Sequence, residues 1–179
     1  MKIIDTGFDG LKVIEPSVYL DSRGYFFESY NQNDYRKQGL NYVFVQDNQS
    51  RSTYGVIRGL HYQKEPYSQS KLVRVLEGTI YDVVVDIREN SSTFGQWYGI
   101  ELSSTNFKQL LVPKGFAHGF SVISPHATVY YKCDEFYHPE AESGIRYNDP
   151  TLNIDWKIPS GKAAISDKDL HLPFLEFQK

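Results

Sequence analysis

The sequence predicts an all-β chain with a few short helices, folded as a β-sandwich or barrel, and three observations carry that reading. Short runs rich in β-branched and aromatic residues recur along most of its length. Turn residues separate those runs at the spacing usual in sandwiches and barrels. Aromatic residues make up 15% of the chain, led by 14 Tyr and 11 Phe. A base-binding cleft would also use aromatics, but a β core accounts for most of them. The 179 residues are the size of one domain, and no linker, repeat or low-complexity segment divides them, so one domain over 1–179 is expected.

Taken in order, NQNDYRKQG (31–39) reads as a short helix. VIRGLHYQ (56–63) has the Val56, Ile57, Leu60 and Tyr62 of a buried strand, yet carries Arg58 and His61 around Gly59. KLVRVLEGTIYDVVVDIR (71–88) reads as a hairpin: two β-rich runs meet at Glu77-Gly78, and the second alternates through Tyr81, Val83, Val85 and Ile87. WYGIELS (97–103), QLLVP (109–113), GFSVIS (119–124) and ATVYYKC (127–133) are further strands, and the C-terminal tail holds a second helical stretch. In a regular strand, Arg58 and His61 would point to opposite faces. A bulge at Gly59 would turn both toward one cavity, as bulges near active sites do.

Charge and cysteine content exclude several classes. A net charge of −3 does not attract nucleic acid, so a phosphate-bearing ligand needs a local cluster of Lys and Arg. The single cysteine, Cys133, excludes an intrachain disulfide and a Cys-based zinc cage, and is read as a small packing residue. The start, MKIIDTGFDG, has no apolar run of signal length, and no stretch approaches the roughly 18 apolar residues of a membrane span. A soluble cytoplasmic protein without a membrane partner is expected.

Four segments, in order and at compatible spacing, carry a resemblance over nearly the whole chain: DSRGYFFE (21–28), RGLHYQ (58–63), PKGFAHGF (113–120), and GIRYNDP (144–150) followed by ISDKDLHLP (165–173). KLVRVLEGTIYDVVVDIRENSSTFG (71–95) fits the same pattern. Together they resemble the dTDP-4-dehydrorhamnose 3,5-epimerase family of the cupin superfamily. The resemblance implies a cupin-type jelly roll, a homodimer that exchanges N-terminal strands, dTDP-4-dehydro-6-deoxy-glucose as substrate, and neither metal nor organic cofactor. Many cupins do bind a metal, through a His-x-His pair, a glutamate and a later histidine. Gly55, His61 and His118 sit at those motif positions, but Gln63 replaces the second histidine, and Tyr67 and Ser68 stand where the glutamate belongs.

A lone His61 would read as a hydrogen-bonded core histidine; the resemblance makes it the base. A ketone at carbon 4 acidifies the protons on carbons 3 and 5. Inversion then needs a base on one face, an acid on the other, and a donor for the enolate oxygen. By resemblance, Asp169 orients His61 and Tyr131 is the acid, with its neighbour Tyr130 pointing away. A phenol holds its proton at neutral pH, as that role demands. Lys71 matches the donor to the enolate, and His118 a further contact at that oxygen. Read from the residues alone, Asp169 is equally a turn carboxylate, Tyr131 a core residue and Lys71 a strand-end lysine.

No glycine-rich phosphate loop is present. By resemblance, side chains hold the nucleotide instead. Arg58 suits paired phosphate oxygens. Arg23 and Glu28, with Phe26 or Phe27 between them, match contacts donated by a partner subunit. Gln46, Asp47 and Asn48 match a contact segment, Glu142 and Lys168 complete the set, and Tyr137 offers a stacking surface for thymine. A single-site epimerase, a non-catalytic sugar-binding jelly roll and a metal-dependent cupin are the competing expectations.

Overall fold

The computed structural model describes residues 1–176. Strands occur in chain order as β1 (Lys2–Asp5), β2 (Lys12–Glu15), β3 (Tyr19–Asp21), β4 (Gly24–Phe26), β5 (Gln46–Thr53), β6 (Ile57–Gln63), β7 (Lys71–Glu77), β8 (Thr79–Asp86), β9 (Trp97–Ser103), β10 (Gln109–Val112), β11 (Phe116–Val122), β12 (His126–Cys133) and β13 (Glu142–Gly144). Two short helices, α1 (Gln32–Lys37) and α2 (Asp167–Leu170), interrupt them. One sheet has the order β1-β2-β10-β7-β12-β5, the other β13-β6-β11-β8-β9, and β3-β4 form a separate two-stranded ribbon. Every named pair is antiparallel. The all-β expectation holds.

Side-chain alternation builds three apolar layers. Val73, Val75, Leu110 and Val129 of the first sheet meet Ile80, Val84, Phe116, Phe120 and Val122 of the second in the central core. Each such side chain withdrawn from water contributes about 1.5–3 kcal/mol. Helix α1 covers the outer face of the first sheet, packing Tyr35 with Ile14, Leu72 and Leu111. It begins where the Asn31 side chain accepts from the Asn33 N–H, with Asp34 in its first turn and Arg36 and Lys37 in its last. Over the outer face of the second sheet, Ile145, Leu152 and Trp156 of the C-terminal segment pack on Ile57, Leu60, Val83, Val85 and Ala117. That cover also brings α2 to β6.

The expected hairpin over 71–88 is not one. Strand β7 pairs with β10 and β12, whereas β8 pairs with β11 and β9 in the opposite sheet. One residue, Gly78, joins them at φ 78°, and a single residue is too short for the two-residue turns that hairpins favour. Gly78 is a corner between the sheets. The helix expected near 31–39 forms as α1, and the one in the tail shrinks to the single turn of α2.

Candidate active site

Strand β6 does not run straight through Gly59. Arg58 lies opposite Phe120 and His61 opposite His118, so Gly59 and Leu60 together face Gly119 alone. This one-residue bulge sends Ile57 and Leu60 to the outer apolar layer. Arg58 and His61 both line the cavity between the sheets. Glycine is needed at the bulge: φ is 118°, and a Cβ there would stand 2.6 Å from the Gly119 Cα and 2.7 Å from the His118 carbonyl oxygen. The bulge expected from the sequence is present.

The cavity encloses about 190 Å³. Arg58, His61 and Gln63 enter from β6 and His118 from β11; Lys71 of β7, Tyr131 of β12 and Ser50 of β5 enter from the facing sheet; Tyr137 and Glu142 stand at the rim. Alternation explains the choice along each strand. Tyr131 and Cys133 point inward, while Tyr130 and Lys132 point outward and meet Asp47 there.

His61 Nε2 lies 2.7 Å from Asp169 Oδ1, which leaves Nδ1 as the other ring nitrogen. Asp169 is almost fully buried and its second oxygen accepts the Gly59 N–H at 3.1 Å. Burial alone would raise the Asp169 carboxyl, but the His61 hydrogen bond and charge, with the Gly59 and Ser166 contacts, hold it below its ordinary value. The pair is therefore built to carry an ionised carboxylate against the ring.

Burial lowers the Lys71 ammonium below the usual lysine range, against the opposing pull of Cys133, Asp82 and Glu142. Its Nζ stands 5.9 Å from the Tyr131 ring centroid. Burial raises the Tyr131 phenol, as do Cys133 and Glu142, with Arg58 opposing. Tyr131 thus keeps its proton well into alkaline solution. The Arg58 Nε donates to Ser52 Oγ at 2.9 Å, which aims the guanidinium from the side. His118 Nε2 is 3.0 Å from both oxygens of the fully buried Asp82.

At the rim, the Tyr137 hydroxyl donates to Glu142 Oε2 at 2.7 Å, and Lys168 Nζ lies 2.6 Å from the same oxygen. Burial raises the Glu142 carboxyl, but these two bonds, together with the charges of Lys168 and His61, bring it below its ordinary value. Gln46 Nε2 donates to Asn48 Oδ1, and the Asn48 amide in turn reaches Cys133 Sγ at 3.7 Å.

Not every residue anticipated for the site gathers here. Asp47 lies between Gln46 and Asn48 on β5, so alternation sends it to the outer face, where Lys132 Nζ approaches to 2.8 Å. Arg23 and Phe26 belong to the exposed β3-β4 ribbon, Arg23 pairing with Asp21, and Glu28 lies just beyond it, its carboxylate accepting from the Asn31 amide. None of these three lines the cavity of its own chain. Reasoning from the sequence also missed residues. Asp82 gave a signal, an acid at an inward position between Ile80 and Val84, that went unread. Gln63 was singled out only as a poor metal ligand two positions after His61, and Ser52 and Gln69 gave no signal.

The two histidines at cupin metal-motif positions are neighbours, but their polar atoms are committed elsewhere. His61 Nε2 is turned to Asp169, His118 Nε2 to Asp82, and the Gln63 amide to main-chain carbonyls of Tyr67 and Phe136. Among the described residues no three His, Cys, Asp or Glu side chains gather as a metal would require. This donor set does not fit a bound metal.

Known proteins are similar to this chain in both sequence and fold. The family model described as dTDP-4-dehydrorhamnose 3,5-epimerase matches residues 5–176. The enzyme of that name from Methanothermobacter thermautotrophicus is 50% identical over 94% of this chain and 91% of its own. The crystal structure of the one from Elizabethkingia anophelis superposes with a TM-score of 0.93 at 52% identity, covering 97% of this chain and 96% of that one. A Legionella pneumophila dTDP-6-deoxy-D-glucose-3,5-epimerase, solved in complex with dTDP-4-keto-L-rhamnose, gives 0.92 at 50% identity over 97% of this chain and 92% of that one. Matched in sequence and fold over nearly its whole length, the chain belongs to the dTDP-4-dehydrorhamnose 3,5-epimerase family.

Proposed function

We propose that this protein is an isomerase that inverts carbons 3 and 5 of dTDP-4-dehydro-6-deoxy-D-glucose, giving dTDP-4-dehydro-L-rhamnose by proton transfer through an enolate. One observation carries the reading. An imidazole backed by a buried carboxylate and a protonated phenol enter one cavity from opposite sheets, with an ammonium beside them. His61 takes the proton from the carbon beside the ketone, and Asp169 stabilises the imidazolium so formed. Lys71, and His118 held by Asp82, stabilise the enolate oxygen, and Tyr131 returns a proton to the opposite face. The ketone itself supplies the acidity, so the reading calls for no cofactor.

The cavity is smaller than the roughly 300–1,000 Å³ that encloses a whole drug-sized ligand. In this reading it takes the sugar ring, while the nucleotide lies across the rim. Arg58 meets the pyrophosphate, Tyr137 stacks on thymine, and Gln46, Asn48, Glu142 and Lys168 line that path. We read the ribbon β3-β4 as the part that a second copy receives. Tyr19, Leu20, Tyr25 and Phe26 expose more than half of their surface on it, and a two-stranded ribbon is marginal alone. Exchange within a homodimer would bring Arg23, Phe26 and Glu28 to the neighbouring cavity. No described helix is long and apolar enough to cross a membrane, and a cytoplasmic location goes with a nucleotide-sugar substrate.

The test is incubation of the dTDP-keto sugar with enzyme in deuterated water. Deuterium at both carbons 3 and 5 with inversion is expected. Exchange at one carbon only would make this a single-site epimerase, and binding without exchange would end the catalytic reading.

A further inference from the structure

We infer that Gln63, assisted by Gln69, is a positioning residue: a carboxamide clamp that fixes the loop bearing Tyr137 to the strand bearing His61. The inference rests on the reading of Tyr137 as the nucleotide platform. Gln63 follows His61 by two positions on β6 and points the same way into the cavity wall, and its buried amide is engaged by main-chain groups. Its Nε2 donates to the main-chain oxygens of Tyr67 at 2.6 Å and Phe136 at 3.1 Å, and its Oε1 accepts the His138 N–H at 2.7 Å. Gln69 Nε2 donates to the carbonyls of Glu135 at 2.8 Å and Phe136 at 3.2 Å. The Tyr137 N–H goes to Gln46 Oε1 at 2.9 Å.

Between Glu135 and His138, then, side-chain amides take the place that a neighbouring strand would fill. Irregular backbone at a rim has to satisfy its polar groups somehow. Here the partners come from the two strands that also carry Gln46 and His61, and from the segment leading into β7. Tyr137 itself is half exposed, and its N–H and hydroxyl are hydrogen-bonded to Gln46 and Glu142 of the rim. Gln63 and Gln69 fix the backbone on either side of Tyr137, and with Gln46 at its N–H and Glu142 at its hydroxyl they set where its ring stands. Through Gln63 the same strand sets the base and the platform, so a sugar placed against His61 has its nucleotide met at a fixed reach.

A double-mutant cycle on the purified full-length protein tests this, with dTDP affinity measured by titration calorimetry and steady-state kinetics on the dTDP-keto sugar. Met keeps the length of Gln63 and removes its hydrogen bonds. Stacking on an aromatic is worth enough that Gln63→Met should weaken dTDP binding by about tenfold, raising KM more than it lowers kcat. In a Tyr137→Ala background the same substitution should weaken binding no further, because the clamp acts through that ring. Full additivity of the two substitutions, or unchanged affinity in Gln63→Met, overturns the clamp. If Gln63→Met fails to fold, Gln69→Met replaces it with the same expectation, since it holds the same Phe136 carbonyl. A wild-type protein that neither binds dTDP nor exchanges substrate protons would remove the functional reading, and the platform with it; additivity in a protein that does both removes the clamp alone.

Discussion

His61 Nε2 and Asp169 Oδ1 stand 2.7 Å apart although 108 positions separate them in the chain. The other oxygen of the same carboxylate holds the Gly59 N–H, the first residue of the bulge that turns His61 inward. One buried carboxylate thus fixes both the ring and the backbone that aims it. Asp169→Asn keeps the shape but removes the charge that stabilises an imidazolium. We expect kcat to fall by about 10²–10⁴-fold, the range of a positioned acid/base group, with dTDP affinity retained. The Asp169 pKa is depressed in the fold, so its stabilising effect is present above the ordinary carboxyl value and lost as pH falls below it. Urea unfolding across pH 3 to 6 should show a shallower dependence in the Asn variant.

Tyr131 enters from the opposite sheet, so removing its hydroxyl should separate abstraction from inversion. Tyr131→Phe should still wash deuterium into the substrate through His61 while inverting it about 10²–10⁴-fold more slowly. Proton NMR reads both events in one experiment. Loss of exchange and inversion together would place Tyr131 on the abstraction step instead.

Lys71 should set an alkaline limit on turnover. Burial depresses its pKa, so its ammonium is lost at lower pH than a free lysine loses it. The kcat profile should fall below the ordinary lysine range, and Lys71→Arg, whose charge persists, should push that fall upward in whatever activity remains. Lys71→Met should lower kcat by about 10²–10³-fold, the effect of losing one oxyanion donor. Burial disfavours the charge on this lysine, so that charge is a stability cost present in full below its folded pKa and gone above its unfolded one. The Met variant should therefore melt no lower than wild type at neutral pH.

Gly59→Ala tests the bulge. A methyl group there meets the Gly119 Cα and the His118 carbonyl inside van der Waals contact, at a φ that side chains rarely adopt. The variant should lose about 1–3 kcal/mol of stability by thermal melting, and its remaining folded fraction should be inactive because Arg58 and His61 no longer share one face.

The β3-β4 ribbon offers a complementation test. The Arg23→Ala and His61→Asn variants should each be nearly inactive. If the ribbon is exchanged, mixing the two with partial unfolding and refolding should restore activity toward a quarter of the wild-type level, since such a mixture forms sites with both intact halves in half of its dimers, one per dimer. No recovery would leave Arg23 without a role in a neighbouring cavity.

Much of the fold was legible along the chain because period-two apolar patterns mark strands whose inner face is buried. Strand β9 was anticipated to the residue, and β10 and β12 nearly so, while the strand expected at 119–124 begins earlier, as β11 at Phe116, and ends at Val122. Strand β5 was not. It reads QDNQSRST, lies at a sheet edge, and its more buried, even-numbered residues are all polar, so no hydrophobic period exists to be seen. The Glu77-Gly78 corner was misread for a related reason: local turn chemistry marks where a strand ends but not which sheet the next one joins.

The sequence by itself determined the strands with a buried apolar face, the glycine that makes the bulge, and the residue types that proton transfer requires. Only the tertiary structure decided which of them meet. Alternation along β5 brought Gln46 and Asn48 in and sent Asp47 out, and the C-terminal cover carried Asp169 to a ring it could not reach by any local rule. Contacts between distant positions depend on sheet order and packing, and neither leaves a periodic trace in a single chain.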